Sequence, residues 1–167
     1  MIRMRPHDTA PDPEDERWLV EAVRLATENV AAGGGPFGAV IVRDGRLLGW
    51  GQNRVTRDQD PTAHAEVQAI RAACRAIGDF SLAGATIYSS CEPRPLCLAA
   101  TLWSRADRVV YAADRDDAAR AGFDDKEFYD LLERDRATWP MPVVGHRVEG
   151  GDAPMVAWLA HEARVEY

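Results

Sequence analysis

The chain has 167 residues, a length that fits one domain and is long enough to bury a hydrophobic core. Apolar residues make up 46% of it and charged residues 28%, which is typical of an ordinary soluble globular protein. No apolar run approaches the ~20 residues that a membrane span needs. The formal net charge of −7 disfavours a nucleic-acid partner, because phosphate binding needs a basic surface.

The N-terminus and the cysteines indicate where the domain begins and which cellular compartment suits the protein. Residues 1–13 are rich in Pro and Asp and lack the apolar core of a secretory signal, so we expect a flexible leader followed by a single domain over residues 14–167. The three cysteines, Cys74, Cys91 and Cys97, are an odd and small number. They favour a reducing cytosol over a disulfide framework.

The first half of the chain predicts a helix followed by a β-hairpin. Pro13 opens a segment whose apolar residues recur at helical spacing, and the glycines at 33–35 end it. Asp44-Gly45 is a strong hairpin turn, with a short apolar strand over 37–42 before it and a second strand over 47–51 after it.

The second half predicts helices alternating with strands. The predicted elements are a loop over 54–62, a helix from Thr62 to Gly78, a strand over 85–90, a short helix over 95–104, a strand over 108–113, an irregular acidic loop over 114–125, a helix over 126–135 and, within 153–167, a final amphipathic helix with a short tail. Residues 141–148 fit a strand and extended coil equally well. This order predicts an α/β fold, a three-layer α/β/α sandwich, and the leading hairpin makes its central sheet mixed.

Two short motifs carry the candidate chemistry. In "HAE", His64 can present a ring nitrogen to a metal ion, and Glu66 can reach the same space. Alone this pattern is weak, because a capping histidine followed by a solvated first-turn glutamate gives the same letters. In "SSCEPRPLC", residues 89–97, a strand leads through Cys-Glu-Pro to a helix start that carries thiols. The exposed N–H groups of a helix N-terminus stabilise thiolates.

Together the motifs resemble the H-x-E…P-C-x-x-C signature of the zinc nucleobase and nucleoside deaminases. The stretches "GGPFGAVIV", "GQN", "DPTAHAEVQAIR", "YSSCEP", "AGFDD" and the terminal "EY" are similar to bacterial guanine deaminases of the cytidine-deaminase-like fold, from about Glu14 to Tyr167. The resemblance implies this fold, a zinc cofactor and a hydrolytic reaction. In that reaction water replaces the exocyclic amine of a small nucleobase, with guanine giving xanthine and ammonia.

The resemblance also implies roles by position. His64 and Cys97 would bind zinc, Glu66 would carry protons from the attacking water to the ring and the departing amine, and Asp125 would be an auxiliary proton-handling carboxylate. The residues implied to contact the purine are Asn53 by hydrogen bonding, Phe37 by stacking or packing, and Trp103 and Tyr167 as pocket residues. As alternatives, Phe37 and Trp103 fit core residues, and Asn53 fits a residue that only holds a turn.

Arg94 stands where the signature has a cysteine, and a guanidinium cannot ligate a metal. Three interpretations stay open. In the first, Cys91 completes a zinc site with His64 and Cys97, although it also fits a small buried residue at a strand end. In the second, zinc is lost, and Arg94 fills the cavity and pairs with Glu66 in a protein that binds a purine-like heterocycle without deaminating it. In the third, the substrate is a related aminated heterocycle, Arg94 contacts its anionic or carbonyl group, and Cys91 restores the metal site.

We therefore expect a cytoplasmic, zinc-dependent aminohydrolase of a small nucleobase, without a nucleic-acid or membrane partner. A tRNA adenosine deaminase shares the fold and signature, but the acidic balance and the terminal "EY" favour a small, enclosed substrate. The resemblance also implies a homodimer in which the C-terminal segment contacts the neighbouring subunit.

Overall fold

Seven α-helices and four strands occur in the residues that the computed structural model describes, 12–123 and 126–166. The strands are β1 (Gly38–Arg43), β2 (Arg46–Gln52), β3 (Thr86–Cys91) and β4 (Arg108–Ala113). The helices are α1 (Pro13–Ala31), α2 (Val55–Asp58), α3 (Ala65–Ile77), α4 (Pro95–Trp103), α5 (Arg115–Arg120), α6 (Lys126–Glu133) and α7 (Ala153–Ala160). A short 3-10 helix covers Arg136–Thr138.

The four strands form one mixed sheet in the order β2-β1-β3-β4. Strand β1 is antiparallel to both β2 and β3, whereas β3 and β4 are parallel. The tight turn at Asp44 and Gly45 joins β1 to β2, and both residues have a positive φ, as such a turn requires. The predicted hairpin and the predicted mixed sheet are confirmed.

Both faces of the sheet are covered by helices, which confirms the predicted layers. Ala39 and Ile41 of β1 are fully buried in a cluster with alanines of α3. Val40 and Val42, the alternating residues, are buried in a second cluster with Trp18 and other residues of α1. Because successive side chains of a strand point to opposite faces, α1 and α3 lie on opposite sides of β1.

Helix α3 lies unusually close to strand β2, and two glycines make this possible. A Cβ on Gly49 would lie 2.5 Å from the backbone nitrogen of Ala73, and a Cβ on Gly51 would lie 2.5 Å from that of Ala69. Ala65, Ala69 and Ala73 of α3 are fully buried. This glycine and alanine contact fixes the height of α3 above the sheet, and with it the position of the helix start.

Three sequence predictions differ from the structure. Helix α5 lies inside the segment predicted as an irregular acidic loop, and its start is a capping box formed by Asp114 and Asp117. Helix α2 lies inside the loop predicted over 54–62. The final segment, predicted as an amphipathic helix with a short tail, is helical over Ala153–Ala160, and this helix is apolar all round rather than amphipathic. Its long apolar side chains, including Met155, Val156 and Leu159, are exposed.

The chain divides into two compact units, one ending at Tyr129 and the other beginning at Asp130. The first contains the sheet with helices α1 to α5. The second contains the 3-10 helix and α7, and most of its described residues are exposed. Among the described residues, no helix is long and apolar enough to cross a bilayer.

Candidate active site

The starts of helices α3 and α4 bring three chemically active side chains together. His64 is the N-cap residue of α3, and Glu66 is in the first turn of that helix. Cys97 is the third residue of α4, whose first residue is Pro95. The Sγ of Cys97 lies 3.4 Å from Nδ1 of His64 and 3.2 Å from Oε2 of Glu66. Both halves of the sequence motif therefore meet in one place.

Glu66 is held from the sheet as well as from its own helix. Its carboxylate is buried, and its Oε1 accepts a hydrogen bond of 2.8 Å from the hydroxyl of Ser89 on β3. Its Oε2 faces Cys97, which is 1% exposed. Oε1 therefore anchors the Glu66 side chain to the sheet, and Oε2 contacts the Cys97 thiol.

The electrostatics of this cluster favour a bound cation. Burial raises the pKa of the Cys97 thiol well above its usual range, and the neighbouring charge and hydrogen bond of Glu66 raise it further. A buried thiol beside a carboxylate is difficult to ionise unless a positive charge stabilises the thiolate. A dication at this point would supply that charge and would deprotonate the thiol.

The donor set fits zinc. His64, Glu66 and Cys97 each offer one ligand atom, and these atoms all lie within 4.8 Å of one another. Imidazole nitrogen, thiolate sulfur and carboxylate oxygen are the ligands that zinc takes in proteins, and catalytic zinc sites use three protein ligands with one open position.

The loop before α4 is fixed by contacts on both of its sides. The Glu92 N–H donates to the Ala113 carbonyl at 2.8 Å, and the Tyr129 hydroxyl donates to the Pro93 carbonyl at 2.8 Å. The Glu92 carboxylate forms an ion pair with Arg115, and this guanidinium holds the pKa of Glu92 below its usual range. The Arg115 guanidinium also lies 4.1 Å from the ring centroid of Tyr129.

The Arg94 guanidinium lies over two aromatic rings and also lines the cavity that contains the donor cluster. It is the N-cap residue of α4, and its guanidinium carbon lies 4.9 Å from the ring centroid of Phe37 and 5.8 Å from that of Phe123. The two rings are in edge-to-face contact, with centroids 5.0 Å apart. A cation over aromatic faces at this range is a favourable contact. The Arg94 guanidinium therefore packs on Phe37, which lines the same cavity.

Phe37 and Asn53 lie next to each other at the end of the hairpin. The Asn53 N–H donates to the Phe37 carbonyl at 3.0 Å. The fully buried Asn29 of α1 donates at 2.8 Å to the carbonyls of both Gly35 and Asn53. The Asn53 side-chain oxygen accepts from the Val55 N–H at 3.3 Å.

A small cavity opens between these groups. Its lining residues are Phe37, Asn53, His64, Ala65, Glu66, Glu92, Arg94 and Cys97. The structure thus brings five of the nine predicted site residues to one cavity.

The other four predicted site residues have different placements. Cys91 is buried at the end of β3, where its thiol donates to the Asp114 carbonyl at 3.5 Å. Trp103 is at the far end of α4, is 64% exposed, and contacts Arg105. Asp125 and Tyr167 lie outside the residues that the structure describes. The roles of all four stay predictions.

Sequence reasoning did not find four residues that shape the site. These are Asn29, Ser89, Arg115 and Phe123. Only Ser89 had a local signal, since it is a polar residue in the buried strand that leads into the cysteine motif. The other three act across long sequence separations, so no local pattern marks them.

Comparison with known proteins places this site in a family. Residues 12–113 match the family model described as the cytidine and deoxycytidylate deaminase zinc-binding region. The chain belongs to this family of zinc-binding deaminases. The predicted cytidine-deaminase-like fold and the predicted resemblance are confirmed.

Individual relatives give a finer comparison. The chain is 46% identical to the guanine deaminase of Bacillus subtilis strain 168, over 91% of this chain and 98% of that protein. The crystal structure of guanine deaminase from Bacillus subtilis matches with a TM-score of 0.87 over the same shares of the two chains. A guanine deaminase structure from Nitrosomonas europaea matches with a TM-score of 0.63 and 32% identity, over 69% of this chain and 66% of that one.

A relative with another activity is more distant. The chain is 32% identical to the tRNA-specific adenosine deaminase of Bacillus subtilis strain 168, over 90% of this chain and 91% of that protein. Both relatives span nearly the whole chain, so the family assignment does not depend on the short motifs alone.

Proposed function

We propose that this protein is a zinc-dependent hydrolytic deaminase that converts guanine and water to xanthine and ammonia. The meeting of His64, Glu66 and Cys97 at one cavity carries this proposal. The 46% identity to a guanine deaminase across 91% of the chain supports guanine as the substrate. The lower identity to a tRNA-specific adenosine deaminase and the net charge of −7 support a small substrate over RNA.

The proposed chemistry needs a nucleophile, a proton carrier and a purine pocket. Bound zinc lowers the pKa of water to about 7 and so supplies hydroxide at neutral pH. His64 and Cys97 would hold the ion. Glu66, whose position is fixed by Ser89, would take the proton of the attacking water and deliver it to the departing amine. Asp125 would assist in this proton transfer.

The pocket residues would orient the purine ring. Asn53 lines the cavity, and an amide can both donate to and accept from a purine edge. The Phe37 ring would contact the purine face. Trp103 and Tyr167 would complete the pocket, a role supported only by their place in the resembled sequence pattern.

We also propose a homodimer in which the C-terminal segment contacts the neighbouring subunit. Helix α7 supports this, because Met155, Val156 and Leu159 are each at least 60% exposed, and contiguous exposed apolar side chains mark interaction surfaces. Light scattering after size exclusion should give twice the chain mass of 18.4 kDa.

We further propose a cytoplasmic location, supported by the three free cysteines.

The deciding experiment measures ammonia and xanthine released from guanine by the zinc-loaded protein. We expect catalytic turnover that is lost with Glu66→Gln and with a zinc chelator, and that returns when zinc is added back. The exposed Glu16→Gln serves as the matched control and should keep full activity. Ammonia release from a tRNA anticodon stem-loop but not from guanine would contradict the proposal, as would guanine binding without turnover.

A further inference from the structure

The zinc-binding motif of this chain supplies only two of the three protein ligands that a catalytic zinc site uses. A catalytic zinc site uses three protein ligands, and the family signature supplies them as one histidine and two cysteines. Here the first of those cysteines is Arg94, which has no donor atom for a metal. His64 and Cys97 leave the site one ligand short, so a third must come from another residue.

Cys91 is badly placed to be that residue. It is buried at the end of β3, and its thiol is directed to the Asp114 carbonyl, with an S–O distance of 3.5 Å. The metal-competent group in the described part of the chain consists of His64, Glu66 and Cys97, without Cys91. Bringing Cys91 into this group would require its thiol to leave the Asp114 carbonyl.

Glu66 is already where a third ligand is needed. A tetrahedral zinc ion with bonds of about 2.0 to 2.3 Å separates its donor atoms by roughly 3.3 to 3.8 Å. Two of the three donor pairs are close to those separations, because the Cys97 sulfur lies 3.4 Å from the His64 nitrogen and 3.2 Å from the Glu66 Oε2. The third pair, His64 with Glu66, lies within 4.8 Å. The other Glu66 oxygen accepts from Ser89, which aims Oε2 at the other two donors.

We propose that Glu66 Oε2 is the third protein ligand to zinc in this chain and that Arg94 is the reason for this change. The inference rests on the proposed function for the identity of the ion. On this assignment Cys97 would bind the ion as the thiolate, its proton passing to solvent, and Glu66 would bind through Oε2 while Oε1 keeps the hydrogen bond from Ser89.

This arrangement gives Glu66 two duties that compete. A dication bound to Oε2 would lower the basicity of the carboxylate, and Oε1 already accepts a hydrogen bond from Ser89, so Glu66 would be a poorer proton acceptor for water. Deamination would then be faster in a variant whose Glu66 is not needed as a ligand. Returning a cysteine to position 94 would release Glu66 for proton transfer, so Arg94→Cys should raise both zinc affinity and kcat for guanine. We expect kcat to rise about tenfold, a part of the 10²- to 10⁴-fold that a positioned acid–base group supplies.

A double-mutant cycle on zinc affinity tests the ligand assignment directly. Zinc affinity is measured by competition with a chelator for wild type, Glu66→Gln, Arg94→Cys and the double variant. We expect Glu66→Gln to weaken binding by more than about 100-fold in wild type, beyond the 10- to 100-fold cost of losing a partner of a ligand. In the Arg94→Cys background the same change should cost less than about threefold, because the second thiolate fills the site.

Cobalt(II) substitution provides a second readout, because the intensity of sulfur-to-cobalt charge transfer reports the number of thiolate ligands. We expect one thiolate in wild type and two in Arg94→Cys. Cys91→Ser should leave zinc affinity and the cobalt spectrum unchanged, as should Cys74→Ser, the control thiol elsewhere on α3. Circular dichroism at each step verifies that the variants remain folded.

The outcomes separate this inference from the proposed function. Two thiolates in wild-type cobalt protein, or loss of zinc in Cys91→Ser with full binding in Glu66→Gln, would overturn Glu66 as the ligand while leaving guanine deamination intact. A wild-type protein that binds no zinc, while Arg94→Cys binds it, would overturn the inference as well. Zinc held through Glu66 without ammonia release from guanine would refute the proposed function alone.

Discussion

Asn29 of α1 donates a hydrogen bond of 2.8 Å to the backbone carbonyl of Asn53, 24 positions further along the chain. This contact fixes the end of the hairpin against α1, and Asn53 is the proposed partner of the purine edge. Asn29 is fully buried, and a Cβ on Gly34 would collide with its side chain, so this contact requires a glycine at position 34.

We expect Asn29→Asp to destabilise the fold and to weaken guanine binding. A carboxylate has the same shape but no donor, so it would face two carbonyl oxygens without a hydrogen bond. The free energy of unfolding should fall by about 3 kcal/mol or more, and KM for guanine should rise more than kcat falls. Urea unfolding and steady-state kinetics measure the two effects. Thr27→Ala, an exposed position on the same helix, should change neither by more than about 0.5 kcal/mol.

The ion pair between Asp15 and Arg108 should make stability depend on pH in the acidic range. The Arg108 guanidinium, with further hydrogen bonds from the Asp12 N–H and the Tyr88 hydroxyl, holds the pKa of Asp15 below its usual range. Burial and the same carboxylate raise the pKa of Tyr88 to about 12. In the folded protein Asp15 therefore stays ionised at a lower pH than in the unfolded chain.

Its contribution to stability is full above the unfolded pKa of about 3.9 and is lost as the pH falls through the lowered folded value. Asp15→Asn should cost about 2 to 4 kcal/mol at pH 7 and should flatten the decline in unfolding free energy below pH 5. Thermal unfolding between pH 3 and pH 7 checks this. The exposed Glu14→Gln on the same helix should follow the wild-type profile, and an Asp15→Asn profile as steep as that of wild type would refute the assignment.

The two glycines of β2 offer a test of how α3 positions the site. Gly51→Ala pushes against the backbone at Ala65 and Ala69, next to His64 and Glu66, whereas Gly49→Ala pushes against Ala73 in the second half of the helix. Both should lower the free energy of unfolding by about 1 to 3 kcal/mol. We expect Gly51→Ala also to weaken zinc binding at least tenfold, with a much smaller effect from Gly49→Ala. Equal losses of zinc affinity would contradict this positional role.

Arg115 should stabilise the loop before α4 more than an ordinary surface arginine does. Its Glu92 partner is only 14% exposed, and the loop also receives the Tyr129 hydroxyl at Pro93. We expect Arg115→Gln to cost about 1 to 2 kcal/mol, since it leaves a mostly buried carboxylate without its ion pair. Arg120→Gln, on the same helix and 70% exposed, should cost less than about 0.5 kcal/mol, and thermal unfolding of both variants compares them.

The fold was largely predictable because its strongest signals are local. The Asp44-Gly45 turn, the helical spacing after Pro13 and the short apolar strands each specify an element without reference to the rest of the chain. Helix α5 was missed because its six residues are too few to show a period, although Asp114 and Asp117 carry the spacing of a capping box. Helix α7 was predicted to be amphipathic, but in the structure its large apolar side chains are exposed.

The site was predictable only in part, because its geometry depends on strand order. The motif spacing suggested that His64, Glu66 and Cys97 act together, but no spacing in the sequence states that α3 and α4 begin side by side. The direction of Arg94 towards Phe37 and Phe123 could not be derived either, because Phe123 lies 29 residues further along a chain that returns through β4.

The contact between His64 and Cys97 joins two residues that are 33 positions apart in the sequence, one before strand β3 and one after it. An ion shared by these residues would act as a cross-link that closes this loop, and the chain entropy removed from the unfolded state increases with the logarithm of loop length. Since the ligands come together only in the folded chain, occupancy would shift the unfolding equilibrium in proportion to the logarithm of free zinc. The stability of the folded protein would then depend on the concentration of free zinc in the cell, whether or not a substrate is present.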